Sequence, residues 1–196
     1  MISKLSQKLT TKLYSNNIIR EDELELYNYG LFIVMSEILL FVYCLLVGAV
    51  LKIVLPSLLF CALFFLIHRY AGGFHTKTEL HCLMITLSSF LISIIAIKLS
   101  VQLNDIFLLV FYVCCSIILI VLSPADTPQK PLSNKEKFLF KKIISLVVVV
   151  GLIVIVILAT QNMYLYANAI IVAIFLQLLS VVCGRLFNKK LLTNNT

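Results

Sequence analysis

The chain has no tryptophan, and only 13% of its 196 residues are charged, nine of them acidic. A soluble globular domain carries about 25% charged and about 45–50% apolar residues, so the 61% apolar content found here excludes that class. Mean hydropathy is +1.06. At about 20 residues per bilayer crossing, the apolar sequence suffices for roughly six crossings and leaves no length for a separate soluble catalytic domain. Breakers are scarce too, with six glycines and four prolines. The expected fold is therefore all-α, a polytopic membrane protein of about six transmembrane helices, and any chemistry must sit in short polar islands.

Cysteine is present, but not in a pattern that stabilises a fold. The six cysteines show no C-x-x-C spacing, and Cys44, Cys61, Cys114, Cys115 and Cys183 lie inside apolar runs. Neither a disulfide framework nor a zinc knuckle is indicated, and no metal or other cofactor is expected. The shortage of acid leaves a net charge of +7. Membrane topology accounts for this excess, so nucleic acid is not an expected partner. No apolar h-region precedes Gly30, so no removable signal peptide is expected.

Ile2, Leu5, Leu9 and Leu13 fall within an arc of about 80° on a helical wheel, with Lys4, Lys8 and Lys12 on other sides. The spacing predicts an N-terminal amphipathic helix lying on an anionic lipid surface. Residues 1–29 then form a cytoplasmic segment, with the acidic run Glu21 to Glu25 leading into a 30–182 bundle. Spans are expected at 30–50, 53–67, 82–97, 106–122, 143–159 and 165–182, all within one integral membrane domain, 1–196. With the N-terminus inside, 14 of the 16 Lys and Arg residues fall on the cytoplasmic side, leaving only Lys52 and Lys98 outside. Both termini and the loops 68–81 and 123–142 are then cytoplasmic. Glu37, inside the first span, needs a partner or a water-filled cavity.

The first of these loops holds all three histidines, His68, His75 and His81, and the one cysteine bordering a polar segment, Cys82. Gly72 and Gly73 should break the incoming helix, and Thr76-x-x-Glu79 has the form of a capping box that restarts one. On a single straight helix His75 and Cys82 would sit about 10 Å apart along the axis. With His75 in a non-helical lead-in, its imidazole can fold back toward the sulfur. Imidazole and a helix N-terminus both favour thiolate, the form that nucleophilic catalysis uses. Glu79 could orient the histidine. Capping and packing roles remain open on these residues alone. A zinc set of His68, His75, His81 and Cys82 also stays open, although it lacks the usual ligand spacing.

The pattern Arg69-x-x-Gly72-Gly73-x-His75-x6-Cys82, followed by Pro124-Ala125-Asp126-Thr127-Pro128-x-Lys130-Pro131, resembles the accessory gene regulator B (AgrB) family. These are membrane peptidases that mature autoinducing-peptide precursors in Gram-positive quorum sensing. The resemblance covers essentially the whole chain. It implies His75 and Cys82 as the catalytic pair of a cysteine endopeptidase (thiol protease). It also implies a short precursor of the AgrD type with a charged C-terminal tail, and a thioester acyl-enzyme that closes into a cyclic thiolactone or lactone. Location in the cell membrane of a Gram-positive bacterium, with a cytoplasmic active site, follows from it, and a homodimer is left open. Arg69, Lys130 and Lys135 are candidates for holding acidic parts of the precursor, although lysines here also satisfy orientation alone. The competing readings are a non-enzymatic accessory subunit of a peptide exporter and a metal-dependent membrane hydrolase.

Overall fold

A computed structural model describes residues 2–74, 79–125 and 133–193, with side chains described except at 79–80 and 187–193. The described residues form seven α-helices: α1 (Ile2–Ser15), α2 (Leu24–Val50), α3 (Val54–Ala71), α4 (Glu79–Leu99), α5 (Asp105–Leu122), α6 (Asn134–Thr160) and α7 (Tyr164–Thr193). Six of them, α2 to α7, are long and apolar enough to cross a membrane. The all-α expectation and the count of spans both hold.

Two compact units are present, Met1–Tyr43 and Cys44–Thr196. In the first, α1 turns Ser6 and Thr10 inward, and the Ser6 hydroxyl donates to Asn28 Oδ1 at 2.7 Å. Leu5 and Leu9 stay exposed, as the apolar stripe of an interfacial helix should. Arg20 donates its backbone N–H to the Glu23 carboxylate at 2.9 Å, capping the turn that leads into α2.

The second unit is built around α7. Half of the α7 span is buried, against 17–39% for the spans of α3 to α6, and it packs on α3, α4, α5 and α6. Ala167, Ala169 and Ala173 give it a slim surface, which is what close helix approach in lipid requires. Ile144 of α6, Leu119 of α5 and Ile67 of α3 close the core around Ile174 and Val181. Tyr112 of α5 is almost fully buried, and its hydroxyl donates to the Val148 carbonyl at 2.8 Å, so the phenol adds bulk without an unpaired donor. At the opposite end from His68 and Cys82, Lys98 donates to the Leu51 carbonyl at 3.2 Å. The ends of α2 and α4 therefore meet, as the up-and-down order of spans demands.

Helix ends depart from the sequence expectation in several places. α2 begins at Leu24, six residues before Gly30, because a helix extends through polar residues that hydropathy counts as outside the bilayer. α6 begins at Asn134, inside the segment 123–142 expected to be a loop. The cause is a capping box: Ser133 Oγ accepts from the Glu136 N–H at 3.3 Å, and Ser133 N–H donates to the Glu136 carboxylate at 2.8 Å. Lys135, Lys137, Lys141 and Lys142 thus ride on a helix rather than a loop. Likewise His68 to Ala71 belong to α3, and 79–81 to α4.

Candidate active site

α3 runs to Ala71, with His68 and Arg69 in its last turn, and Gly72 stops it at φ +71°, a conformation that favours glycine. Gly72 returns its N–H to the His68 carbonyl at 3.0 Å. Gly73 answers a different need, which is space. A Cβ there would strike the His68 imidazole and approach Ser180 Oγ to 2.5 Å. From the other side, a Cβ on Gly184 would come within 2.7 Å of the Gly73 carbonyl oxygen. Gly73 therefore packs directly against α7.

Two residues on one face of α7 grip that segment. Gln177, with no exposed surface, donates through Nε2 to the Gly72 carbonyl at 2.7 Å. Its Oε1 then faces His68 Nδ1 at 3.2 Å. With the amide oriented by Gly72, Nδ1 is the ring nitrogen that carries hydrogen in this pair. The His68 ring also stacks on Phe64, centroids 5.2 Å apart. One turn on, Ser180 Oγ accepts from the Phe74 N–H at 3.1 Å. The backbone leading directly into His75 is thus pinned at two peptide groups.

The second motif meets the first at the same point. Ala125 donates its N–H to the Ala71 carbonyl at 2.9 Å, and its own carbonyl lies 2.9 Å from where a Cβ on Gly72 would be. Beside it, the Tyr70 and Phe140 rings meet edge to face at 5.4 Å, tying the end of α3 to the first turns of α6. Arg69 and Lys135 are both exposed at these two helix ends.

Cys82 is the fourth residue of α4 as described and is half-buried. Thr86 bonds back to its carbonyl at 2.8 Å. Its side chain lines a cavity of about 250 Å³ between α3, α4 and α7, which it shares with Phe74, Ser180 and Cys183. Cys183, expected from its apolar surroundings to be a packing residue, is instead exposed on the wall of this cavity. Cys44, Cys61 and Cys115 are buried within the spans, and Cys114 is exposed.

His75 and Lys130 lie outside the described residues, as does the Glu79 side chain. The zinc alternative requires His75 and so falls partly outside them as well. Gln177, Ser180 and Gly184 were not anticipated from the sequence. The signal was there in Gln177, a side-chain amide in the middle of an apolar span, where polar groups are costly unless they have work to do.

A model of the family described as Accessory gene regulator B matches residues 6–181. A protein of Clostridium beijerinckii named AgrB-like is 28% identical over 197 aligned positions, covering 97% of this chain and 95% of that protein. A second AgrB-like protein, from Clostridium perfringens (strain 13 / Type A), is 25% identical over 146 positions, covering 70% of this chain and 67% of that one. No solved structure matches the chain.

Proposed function

The chain belongs to the accessory gene regulator B family, and from that premise we propose that it is a membrane-embedded cysteine endopeptidase. Its substrate is the precursor of a quorum-sensing peptide, and its catalytic pair is Cys82 and His75. The observation that carries the reading is the shared cavity. Phe74, whose carbonyl carbon is bonded to the His75 nitrogen, lines the same space as Cys82. That shared wall supports pairing Cys82 with the histidine that follows Phe74 in the sequence.

The chemistry runs in two displacements. Cys82 as thiolate attacks the scissile carbonyl, and His75, having taken the thiol proton, gives it to the departing amine. The precursor's C-terminal part leaves, and its N-terminal part remains as a thioester on Cys82. A Cys or Ser of the precursor then attacks that thioester, its proton passing to His75, and a thiolactone or lactone is released with the Cys82 thiolate restored. Exchange of one thioester for another is nearly isoenergetic, so the step depends on keeping water away. The half-buried position of Cys82 supports that demand.

Arg69, Lys130 and Lys135 hold the acidic tail of the precursor on the cytoplasmic side. Exposure of Arg69 and Lys135 at adjoining helix ends supports this role. The 14-to-2 partition of Lys and Arg supports a cytoplasmic site in a cell membrane.

Co-expression with a precursor tests the assignment. Cys82→Ser and His75→Ala should each abolish cleavage at unchanged membrane abundance, while Cys61→Ala and Cys115→Ala retain it. Cleavage by Cys82→Ala protein would overturn the nucleophile and return weight to an accessory or metal-dependent role.

A further inference from the structure

The end of the bundle opposite Cys82 holds a second cavity, of about 200 Å³, between α4, α5 and α7. Among the described residues α4 and α5 each pack on α7 but scarcely on each other, so a cleft is left where the 3₁₀ turn Ser100–Gln102 leads from one to the other. Phe107 and Phe175 on its wall are exposed, and on helices that cross a membrane such exposure faces lipid tails. Phe111 stands between them, its ring centroid 6.3 Å from that of Phe107 and 5.2 Å from that of Phe175. The inner wall carries Asn168, only 3% exposed, and its Nδ2 is buried with no hydrogen-bond partner among the described residues. Ser100, the other polar residue on the wall, already donates its hydroxyl to the Ile97 carbonyl at 3.1 Å.

We propose that this cavity binds one acyl chain of a membrane glycerolipid, with the ester carbonyl of that chain accepting a hydrogen bond from Asn168 Nδ2. A buried amide donor requires an acceptor, and the phenylalanines require that the acceptor come on an apolar body. Water meets only the first requirement. It is held by about two to four polar partners, and this wall offers one free donor. Depth decides which acceptor is at hand. Asn168 is the fifth residue of α7, about 6 Å along the axis from Tyr164, and the interfacial layer on each side of a bilayer is roughly 5–8 Å thick. The ester carbonyls of glycerolipids lie at the inner edge of that layer, level with the amide. Size agrees, since about 200 Å³ matches about seven waters at roughly 30 Å³ each, room for the carbonyl end of one chain but not for a peptide segment. The bound chain fills the cleft that α4 and α5 leave, whatever reaction occurs at Cys82.

Photolabelling of the full chain in vesicles tests the site. The host lipid is ether-linked phosphatidylglycerol, which lacks the carbonyl, doped with an ester-linked phosphatidylcholine whose acyl chain carries a diazirine, and labelled peptides are read by mass spectrometry. Label should concentrate on the α5 and α7 peptides that hold Phe107, Phe111 and Phe175, above the level on the exposed α6 positions Val149 and Ile153, which line neither cavity. Replacing the host with ester-linked phosphatidylglycerol of the same chains should cut labelling of the site roughly 2- to 12-fold, the worth of one hydrogen bond, and leave α6 unchanged. Asn168→Leu, similar in volume but without a donor, should remove that difference between hosts. Ser100→Phe, which fills the cleft, should bring labelling of the site down to the α6 level. Label spread evenly over α5, α6 and α7 of the parent protein overturns the proposal, as does labelling of the site that ignores the change of host, and neither comparison needs a variant to fold. Displacement of the label by free oleate but not by the ester-linked lipid would overturn the glycerolipid as occupant.

Discussion

Gln177 and Gly72 are joined by a 2.7 Å hydrogen bond from a side chain that has no contact with solvent. The same amide accepts from His68, so one residue of α7 satisfies two groups of the glycine turn. Gln177→Leu keeps the volume but leaves the Gly72 carbonyl and His68 Nδ1 without this partner. The loss should be about 1–3 kcal/mol of stability, read as a lower melting temperature in detergent. Because the turn leads into His75, cleavage should fall by more than the folded fraction does. Ser180→Ala removes a single bond and should be milder. Parent-like cleavage by Gln177→Leu would mean that the turn holds its shape without α7.

At Gly73 and Gly184 the turn and α7 leave no room for a side chain, and their neighbours differ in how far they can yield. At Gly184 the obstacle is the Gly73 backbone, 2.7 Å from the added carbon. Gly184→Ala should therefore force the two segments apart and cost about 1–3 kcal/mol by overpacking. Gly73→Ala meets the His68 ring and Ser180 Oγ and should be as damaging to cleavage. Gly30→Ala meets nothing within 4 Å and supplies the control, expected to fold and cleave normally. Comparable thermal shifts for Gly30→Ala and Gly184→Ala would contradict the packing account.

What could be foreseen from the sequence follows from which forces are local. Apolar run length and the lysine bias speak directly of spans and orientation, so six crossing helices and the stop at Gly72 were legible. Cys82 stood out by its polar border, and it lines the cavity that Phe74 shares. The helical start at Asn134 was missed because runs of lysine were weighed as loop, while the Ser133 and Glu136 capping box went unread. The grip of α7 on the turn was beyond reach, since Gln177 and Gly72 lie 105 positions apart. Nothing in local pattern pairs residues at such a distance. Cys183 shows the same limit: hydropathy places it in a span but not on the face that shares a cavity with Cys82.

Orientation can be checked at two exposed positions on opposite ends of α6. Lys135 lies in its first turn, and Asn162 lies in the turn beyond its end, at φ +58°. In a background with the native cysteines replaced, Lys135→Cys should resist an impermeant maleimide applied to intact cells and react once the cells are opened. Asn162→Cys should react in both conditions. Labelling of position 135 from outside would reverse the orientation and with it the cytoplasmic site.

The mechanism makes its sharpest demand on the acyl-enzyme. In the proposed mechanism cleavage and ring closure use one thioester on Cys82, so a precursor lacking its internal Cys or Ser should complete the first displacement and stall before the second. The N-terminal fragment should then stay bonded to the enzyme. On a denaturing gel this species should run heavier than the enzyme by the mass of the fragment, and hydroxylamine should remove it by attacking the thioester carbonyl. Cys82→Ala and His75→Ala proteins should not form it, the first for want of a nucleophile and the second for want of a base. Thioesters hydrolyse slowly near neutral pH, and the half-buried, apolar surroundings of Cys82 slow water further. The adduct should therefore accumulate to a visible band at early times after acid quench. Release of free linear fragment with no adduct at any time would point to direct attack by water, and loss of that activity on adding a chelator would favour a metal-dependent hydrolase.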